Sequence, residues 1–284
     1  MAELTYNVLK LLPRNTLSRM VGAACRVSAP RPVMRAVIRT FARKYGVDAT
    51  EAERSIEDYP TFTEFFTRRL KPGARPIAPG GLLPVSPVDG TVGEIGEIVS
   101  GKLLQAKGKH YTLAELFGGP EADEDARQFS GGSFLTIYLA PYNYHRIHAP
   151  LGGEITGYIN VPGTLWPVNA VGVRNVDRLF CVNERVTTFL ETPRGPCAVV
   201  AVGAMNVGRI RAVYDDVVTN VRRTRAVQRK IYDKPIPVDK GGELAIFEMG
   251  STVVIVFAPG VKLSSSLQVG VPTRLGVPLE EAAG

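Results

Sequence analysis

The chemistry in this chain centres on one serine. Ser251 sits in Phe247-Glu-Met-Gly-Ser-Thr252 and is followed by Val253-Val-Ile-Val-Phe257. A Gly-Ser-Thr turn ahead of a continuous apolar, β-branched run reads as the mouth of a buried strand, packed on both sides. Gly250, with no side chain, leaves its own carbonyl open to attack and tolerates strained backbone angles. We read Ser251 as a nucleophile that attacks the Gly250 carbonyl and breaks the chain there.

A serine hydroxyl needs a base. Histidine is scarce: His110, His145 and His148 are the full set, and two fall in Tyr144-His-Arg-Ile-His-Ala-Pro150. Residues three apart oppose each other on an extended segment and converge on a turn. General acid/base duty is the favoured reading over two hydrogen-bonded structural histidines. A metal site would need further ligands, and no Cys or acid cluster lies nearby in sequence, so none is expected. Asp89, in Ser86-Pro-Val-Asp-Gly90, taken alone is a turn residue capping its own backbone. Together with a histidine and Ser251 it supplies carboxylate, base and nucleophile. The Gly-x-Ser-x-Gly elbow of serine hydrolases is missing around Ser251.

The elements that must position these residues fall into two regions. Residues 1 to about 46 show helical apolar spacing (Leu4, Val8, Leu11, Leu12; Leu17, Met20, Val21, Ala24; Met34, Val37, Ile38, Phe41), broken at Pro13, Pro30 and Pro32. Their charges are Lys10, Arg14, Arg19, Arg26, Arg31, Arg35, Arg39, Arg43 and Lys44 against the single acid Glu3. So one-sided a charge favours a stretch lying on an anionic lipid surface over a merely solvated helical cap. Asp48 with Glu51 and Thr61 with Glu64 read as capping boxes of two short helices. Residues 71–81 are turn-rich and mark a boundary. Beyond it, strands are expected at 91–99, 133–140, 154–160, 185–191, 197–202, 206–213 and 252–258, with a helix at 112–117 and a polar loop at 119–130. Residues 214–247 are mixed. Tyr214 to Asn220 could form a strand, Arg222 to Lys230 is basic, and Pro235-Ile-Pro237 with Gly241-Gly242 reads as a loop. The expected class is α+β: basic amphipathic helices at the N-terminus (1–70), then a mainly antiparallel β-rich catalytic domain (71–284).

Composition narrows the rest. Net charge is +7, which suits an anionic partner. Cys25, Cys181 and Cys197 are odd in number and lack ligand spacing, so free buried thiols in a reducing compartment are expected. No apolar run approaches the ~20 residues of a spanning helix, and the N-terminus lacks signal-peptide organisation.

The set Pro87-Val-Asp-Gly90, Tyr144 to Pro150 and Met249-Gly-Ser-Thr252 resembles the phosphatidylserine decarboxylases, pyruvoyl-dependent enzymes made as proenzymes. Leu104-Gln-Ala-Lys-Gly108, Val161-Pro-Gly163, Val182-Asn-Glu-Arg185, Val202 to Gly208 and Phe257-Ala-Pro-Gly260 extend the likeness in order over most of the chain from about residue 60. Met249 stands where bacterial members commonly have Leu, a near-isosteric change. The resemblance implies that Asp89, His148 and Ser251 act as an internal triad and that Ser251 cleaves the chain at Gly250. It implies a β subunit, 1–250, and an α subunit, 251–284, whose N-terminal pyruvoyl cofactor derives from Ser251. That group would form a Schiff base with phosphatidylserine and release CO₂ and phosphatidylethanolamine, with His145 as a candidate acid. It further implies a homodimer of αβ units, peripheral on the cytoplasmic side of the cell membrane. Two rivals stand beside it. A serine hydrolase acting on an external substrate would keep an intact chain and react with fluorophosphonates. A nucleic-acid-binding module would want basic residues interleaved with aromatics on one sheet face; here the charge lies in the N-terminal helices and in 222–230, so no nucleic-acid partner is expected.

Overall fold

In a computed structural model, residues 9–10, 12–105, 109–205, 209–221, 226–248 and 251–281 are described, leaving out the side chains of Leu104, Gln105, Lys109, Ala170 and Ser251. The expected cleavage residue Gly250 therefore lies outside the described residues, as do Met249, residues 106–108 and 206–208 of the motifs, and 222–225 of the basic stretch.

The N-terminal region is helical: α1 (Arg14–Cys25), α2 (Arg31–Tyr45) and α3 (Phe62–Phe66), with Pro13 and Pro30 at the N-caps of the first two. It has its own small core of Met34, Ile38, Val47, Tyr59, Phe62, Phe65 and Phe66. Thr61 caps α3 by accepting the Glu64 N–H, but the Glu64 carboxylate turns to Arg54, so only half of that box forms. At Asp48 the expected helix is a single 3-10 turn, because the carboxylate accepts from Thr50 rather than from the third residue on.

From residue 85 onward the chain is β-rich: β1 (Gly90–Glu97), β2 (Lys102–Gln105), β3 (Lys109–Thr112), α4 (Leu113–Phe117), α5 (Asp123–Arg127), β4 (Ser133–Leu139), β5 (Arg146–His148), β6 (Gly153–Val161), α6 (Ala170–Asn175), α7 (Leu179–Val182), β7 (Arg185–Thr192), β8 (Gly195–Val202), β9 (Ile210–Ala212), β10 (Gln228–Val238), β11 (Glu243–Phe247), β12 (Ser251–Phe257) and β13 (Pro272–Thr273). Eight strands form one antiparallel sheet in the order β10-β6-β7-β8-β12-β4-β1-β13, and β5-β11-β9 form a second. This is the α+β class the pattern implied. β12 lies inside the large sheet between β8 and β4. Val253, Ile255 and Phe257 enter the core shared with the small sheet, where Ile147, Ala245 and Phe247 meet them. Val254 and Val256 enter the opposite core with Phe117, Phe134 and Val200. An apolar run with no alternation is what two-sided burial demands.

Three further expectations fail. The loop at 119–130 holds a 3-10 turn (Pro120–Ala122) and α5, because Pro120 starts the turn and Asp123, Glu124 and Asp125 favour a helix N-terminus. The loop around Pro235 and Pro237 belongs to β10, an eleven-residue strand. β10 is an edge strand with a register shift between Ile231 and Ile236, the setting in which a strand tolerates proline. Residues 214–220 form no named strand, only an Arg211–Val218 bridge.

Candidate active site

The register of the large sheet gathers the functional positions at one end. Thr91 of β1, Tyr138 of β4, Thr252 of β12, Val202 of β8 and Arg185 of β7 stand in one cross-strand row. One step toward the strand ends, Ser251 pairs with Leu139, with Gly90 beyond Leu139 on one side and Gly203 and Glu184 on the other. The Gly203 N–H donates to the Glu184 carbonyl at 2.8 Å. A Cβ at Gly90 would stand 2.5 Å from the Tyr138 carbonyl oxygen, so only glycine lets the chain carry Asp89 so close to β4.

β5 brings the histidines to the same end. β4 finishes at Leu139, the partner of Ser251, and after a short loop His145 pairs its carbonyl with the Phe247 N–H at 3.0 Å. Phe247 closes β11, four residues before Ser251. The His148 N–H donates to the Pro87 carbonyl at 3.0 Å, which lays β5 beside the segment leading to Asp89.

The His148 ring is buried. Its Nδ1–H donates to the Gly241 carbonyl at 2.7 Å, and its Nε2 accepts from the Tyr144 hydroxyl at 3.3 Å. A carbonyl can only accept, so this contact fixes the proton on Nδ1 and leaves the Nε2 lone pair as the basic site. Burial lowers the His148 pKa, with smaller opposing effects from the Gly241 carbonyl, Glu243 and Asp89. Tyr144 stacks on the ring, and burial lifts its hydroxyl to about 12, so it stays a neutral donor. Gly241, at φ +79 and against Ile77, is a second position that needs glycine.

Asp89 is near His148 but not bonded to it. Its carboxylate takes the Arg75 guanidinium (Nη2 2.6 Å, Nε 2.9 and 3.0 Å) and the Leu275 N–H at 2.9 Å. The same guanidinium reaches Glu51 with 2.8 and 2.9 Å bonds. The ring-orienting acceptor is thus a backbone carbonyl, and the aspartate acts on the ring through space.

His145 is fully buried, and neither ring nitrogen makes a well-formed hydrogen bond among the described residues, the Ala140 and Pro141 backbone being its nearest polar neighbours. Phe66 of α3 stacks on it at 4.1 Å. Burial, then the nearby Arg68, lower its pKa to about 3, which keeps it neutral. Arg68 is itself buried, with its Nη2 on the Tyr142 carbonyl at 3.3 Å. Glu248 receives Arg26, the residue that caps the end of α1, at 3.0 Å, tying the N-terminal helices to the approach to Ser251.

Arg75, Tyr144, Gly241 and Glu184 escaped the sequence reading. Tyr144 and Glu184 lay inside motifs already noted. Arg75 and Gly241 sat in stretches read as turn and loop, with no local signal of what they reach.

A buried imidazole whose basic nitrogen is Nε2 thus stands at the end of the sheet where the central strand begins at Ser251. Residues 62–279 match the model of the phosphatidylserine decarboxylase family. The chain is 53% identical over 270 residues to a phosphatidylserine decarboxylase proenzyme of Myxococcus xanthus (strain DK1622), covering 95% of both. It is 53% identical over 284 residues to one of Anaeromyxobacter sp. (strain K), covering 99% of both. To one of Brevibacillus brevis it is 44% identical over 276 residues, covering 94% of this chain and 96% of that protein. The chain belongs to the phosphatidylserine decarboxylase family.

Proposed function

We propose that the chain cuts its own Gly250–Ser251 bond into a β subunit (1–250) and an α subunit (251–284), and that the mature enzyme decarboxylates phosphatidylserine to phosphatidylethanolamine and CO₂. The observation that carries this reading is the register: Ser251 opens the central strand at the sheet end where His148 has its proton on Nδ1 and its basic lone pair on Nε2, which only the neutral Tyr144 hydroxyl engages. His148 takes the serine proton, and the serine oxygen attacks the Gly250 carbonyl. The C–N bond breaks and an ester forms. β-Elimination breaks the ester Cβ–O bond, releasing the Gly250 carboxylate and leaving a dehydroalanine; its imine tautomer takes up water, which supplies the keto oxygen, and ammonia leaves, so that position 251 ends as a pyruvoyl group. That group supplies the electron sink that ordinary side chains lack. The surroundings suit it, because a buried carboxylate oxygen there, Glu184 Oε2, has no protein partner among the described residues. His145 is the acid/base group we assign to decarboxylation.

The helical region 1–70 is assigned to the membrane surface and 71–284 to catalysis. No helix among the described residues is long and apolar enough to cross a bilayer. Met20, Val27, Val33 and Val37 are exposed apolar residues, and exposed Arg31, Arg35 and Arg43 accompany them. This suits peripheral attachment to anionic lipid on the cytoplasmic side. The homodimer of αβ units is part of the same proposal, checked by sedimentation.

Intact-mass measurement tests the core of it. Wild type should give two chains, the smaller blocked by a pyruvoyl group, and both should co-elute natively because β12 is paired along its length on both sides. His148→Ala should stay uncut, and His145→Ala should cut but lose turnover. A wild-type chain that stays whole while turning over at full rate overturns the reading.

A further inference from the structure

In Val182-Asn-Glu-Arg185 three consecutive polar residues are buried, and two are accounted for by the backbone they bind. Asn183 bonds the Trp166 N–H and carbonyl and the Gly203 carbonyl. Arg185 spreads its guanidinium over the carbonyls of Glu115, Leu116, Cys181 and Asn183. Glu184 differs. Its Oε1 accepts the Asn220 N–H at 2.6 Å, while Oε2 has no partner among the described residues although the residue is 4% exposed. Leaving a buried carboxylate oxygen unpaired is costly, and such an oxygen points to a ligand or a proton.

Its place in the sheet says which reaction it serves. Carried one residue past the Thr252–Val202–Arg185 row, the registers bring the backbone of Glu184 level with Gly203, whose N–H it accepts, and with Ser251, two strands away. The separation is about 10 Å at ~4.8 Å per strand. The residue between them is Gly203, which puts no side chain into the gap. The one charged group among the described residues that acts on Glu184 is Arg19 of α1, which bonds the Asn220 side chain at 3.3 Å.

Resting on the decarboxylase reading, we propose that Glu184 is a further catalytic residue, which accepts a proton from the ammonium group of the bound amino-acid headgroup. An N–H bond breaks, an O–H bond forms on Oε2, and the electron pair stays on nitrogen, which becomes the nucleophile. A headgroup amine enters protonated at neutral pH and cannot attack a carbonyl until this transfer occurs. Burial raises the Glu184 pKa to about 7, which suits a group that must both accept and release that proton.

Glu184→Gln keeps the Asn220 acceptor and removes the proton site. On self-cleaved enzyme, verified by intact mass, with phosphatidylserine in detergent micelles, turnover should fall about 100-fold or more. The rate of forming a borohydride-trapped adduct, read by the mass of the 251–284 chain, should fall with it. Cleaved Glu184→Gln enzyme with wild-type rates overturns the proposal and leaves the self-cleavage reading standing. Arg19→Gln is the independent arm should Glu184→Gln not mature. Losing the cation raises the carboxyl pKa, so the alkaline-rising limb of the rate profile near pH 7 must move to higher pH. A limb that stays put also overturns the proposal.

Discussion

The Arg75 guanidinium is the only side chain among the described residues that neutralises Asp89, and replacing it should expose how Asp89 serves the site. The two side chains are 9% and 5% exposed, with a shortest contact of 2.6 Å. Arg75→Met would leave the Asp89 carboxylate buried with the Leu275 N–H as its remaining donor. Breaking one side of a buried pair costs about 3–5 kcal/mol, a large share of the roughly 5–15 kcal/mol that stabilises a domain. Glu51, 26% exposed and able to draw on water, adds little to this cost. Asp89→Asn alone should cost less, because Arg75 keeps both bonds to Glu51. Arg75→Met with Asp89→Asn should recover about 2 kcal/mol over Arg75→Met, since no buried charge then stands alone.

The assay is urea unfolding followed by circular dichroism, with all variants in an uncut Ser251→Ala background so that stability is read apart from maturation. With Ser251 restored, Arg75→Met should slow self-cleavage, because the freed carboxylate no longer holds its place near His148. A cost below 1 kcal/mol, or a double variant no more stable than Arg75→Met, would refute the buried ion pair and the positioning role drawn from it.

Two further outcomes are expected. Burial holds His145 near pKa 3 when folded, against 6.5 unfolded, so below pH 6.5 the unfolded chain takes up a proton that the folded chain refuses. Stability is lost as pH falls from 6.5 toward 3, by about 2 kcal/mol at pH 5 relative to pH 7.5. Urea melts at both pH values, in the Ser251→Ala background, should show His145→Gln with that much less acid sensitivity; equal sensitivity contradicts the assignment. At the membrane, Arg31, Arg35 and Arg43 are exposed while Arg39 is engaged by Glu57 at 2.6 Å. Changing those three to Gln should weaken binding to phosphatidylserine-containing vesicles by up to about 100-fold at ~1 kcal/mol each. Unchanged vesicle sedimentation would remove the membrane role from α2.

What the sequence made legible, and what it hid, divides by range. β12 could be read because two-sided burial writes a local signature, five apolar residues without alternation. β10 was misread for the converse reason: its prolines report only the local chain, whereas their tolerance comes from an edge position set by the order of the whole sheet. The same division runs through the site. Residue types pointed to Ser251, Asp89 and one of two histidines, and the family resemblance singled out His148. The partner that fixes the ring, the Gly241 carbonyl, is 93 residues from His148, and a carbonyl has no residue identity to read. Asp89 pairs with Arg75, only 14 residues away, yet a turn-rich segment gives no periodicity that would aim one at the other. Glu184 lies inside a motif visible in the sequence, but its role depends on two strand registers at once, β7 on β8 and β8 on β12. A slip of one residue in either pairing would turn Glu184 to the other face of the sheet and out of line with Ser251. The apolar alternation of Val199 and Ala201 into one core and Val200 and Val202 into the other forbids that slip, so core packing in β8 holds the acid and the serine in one row.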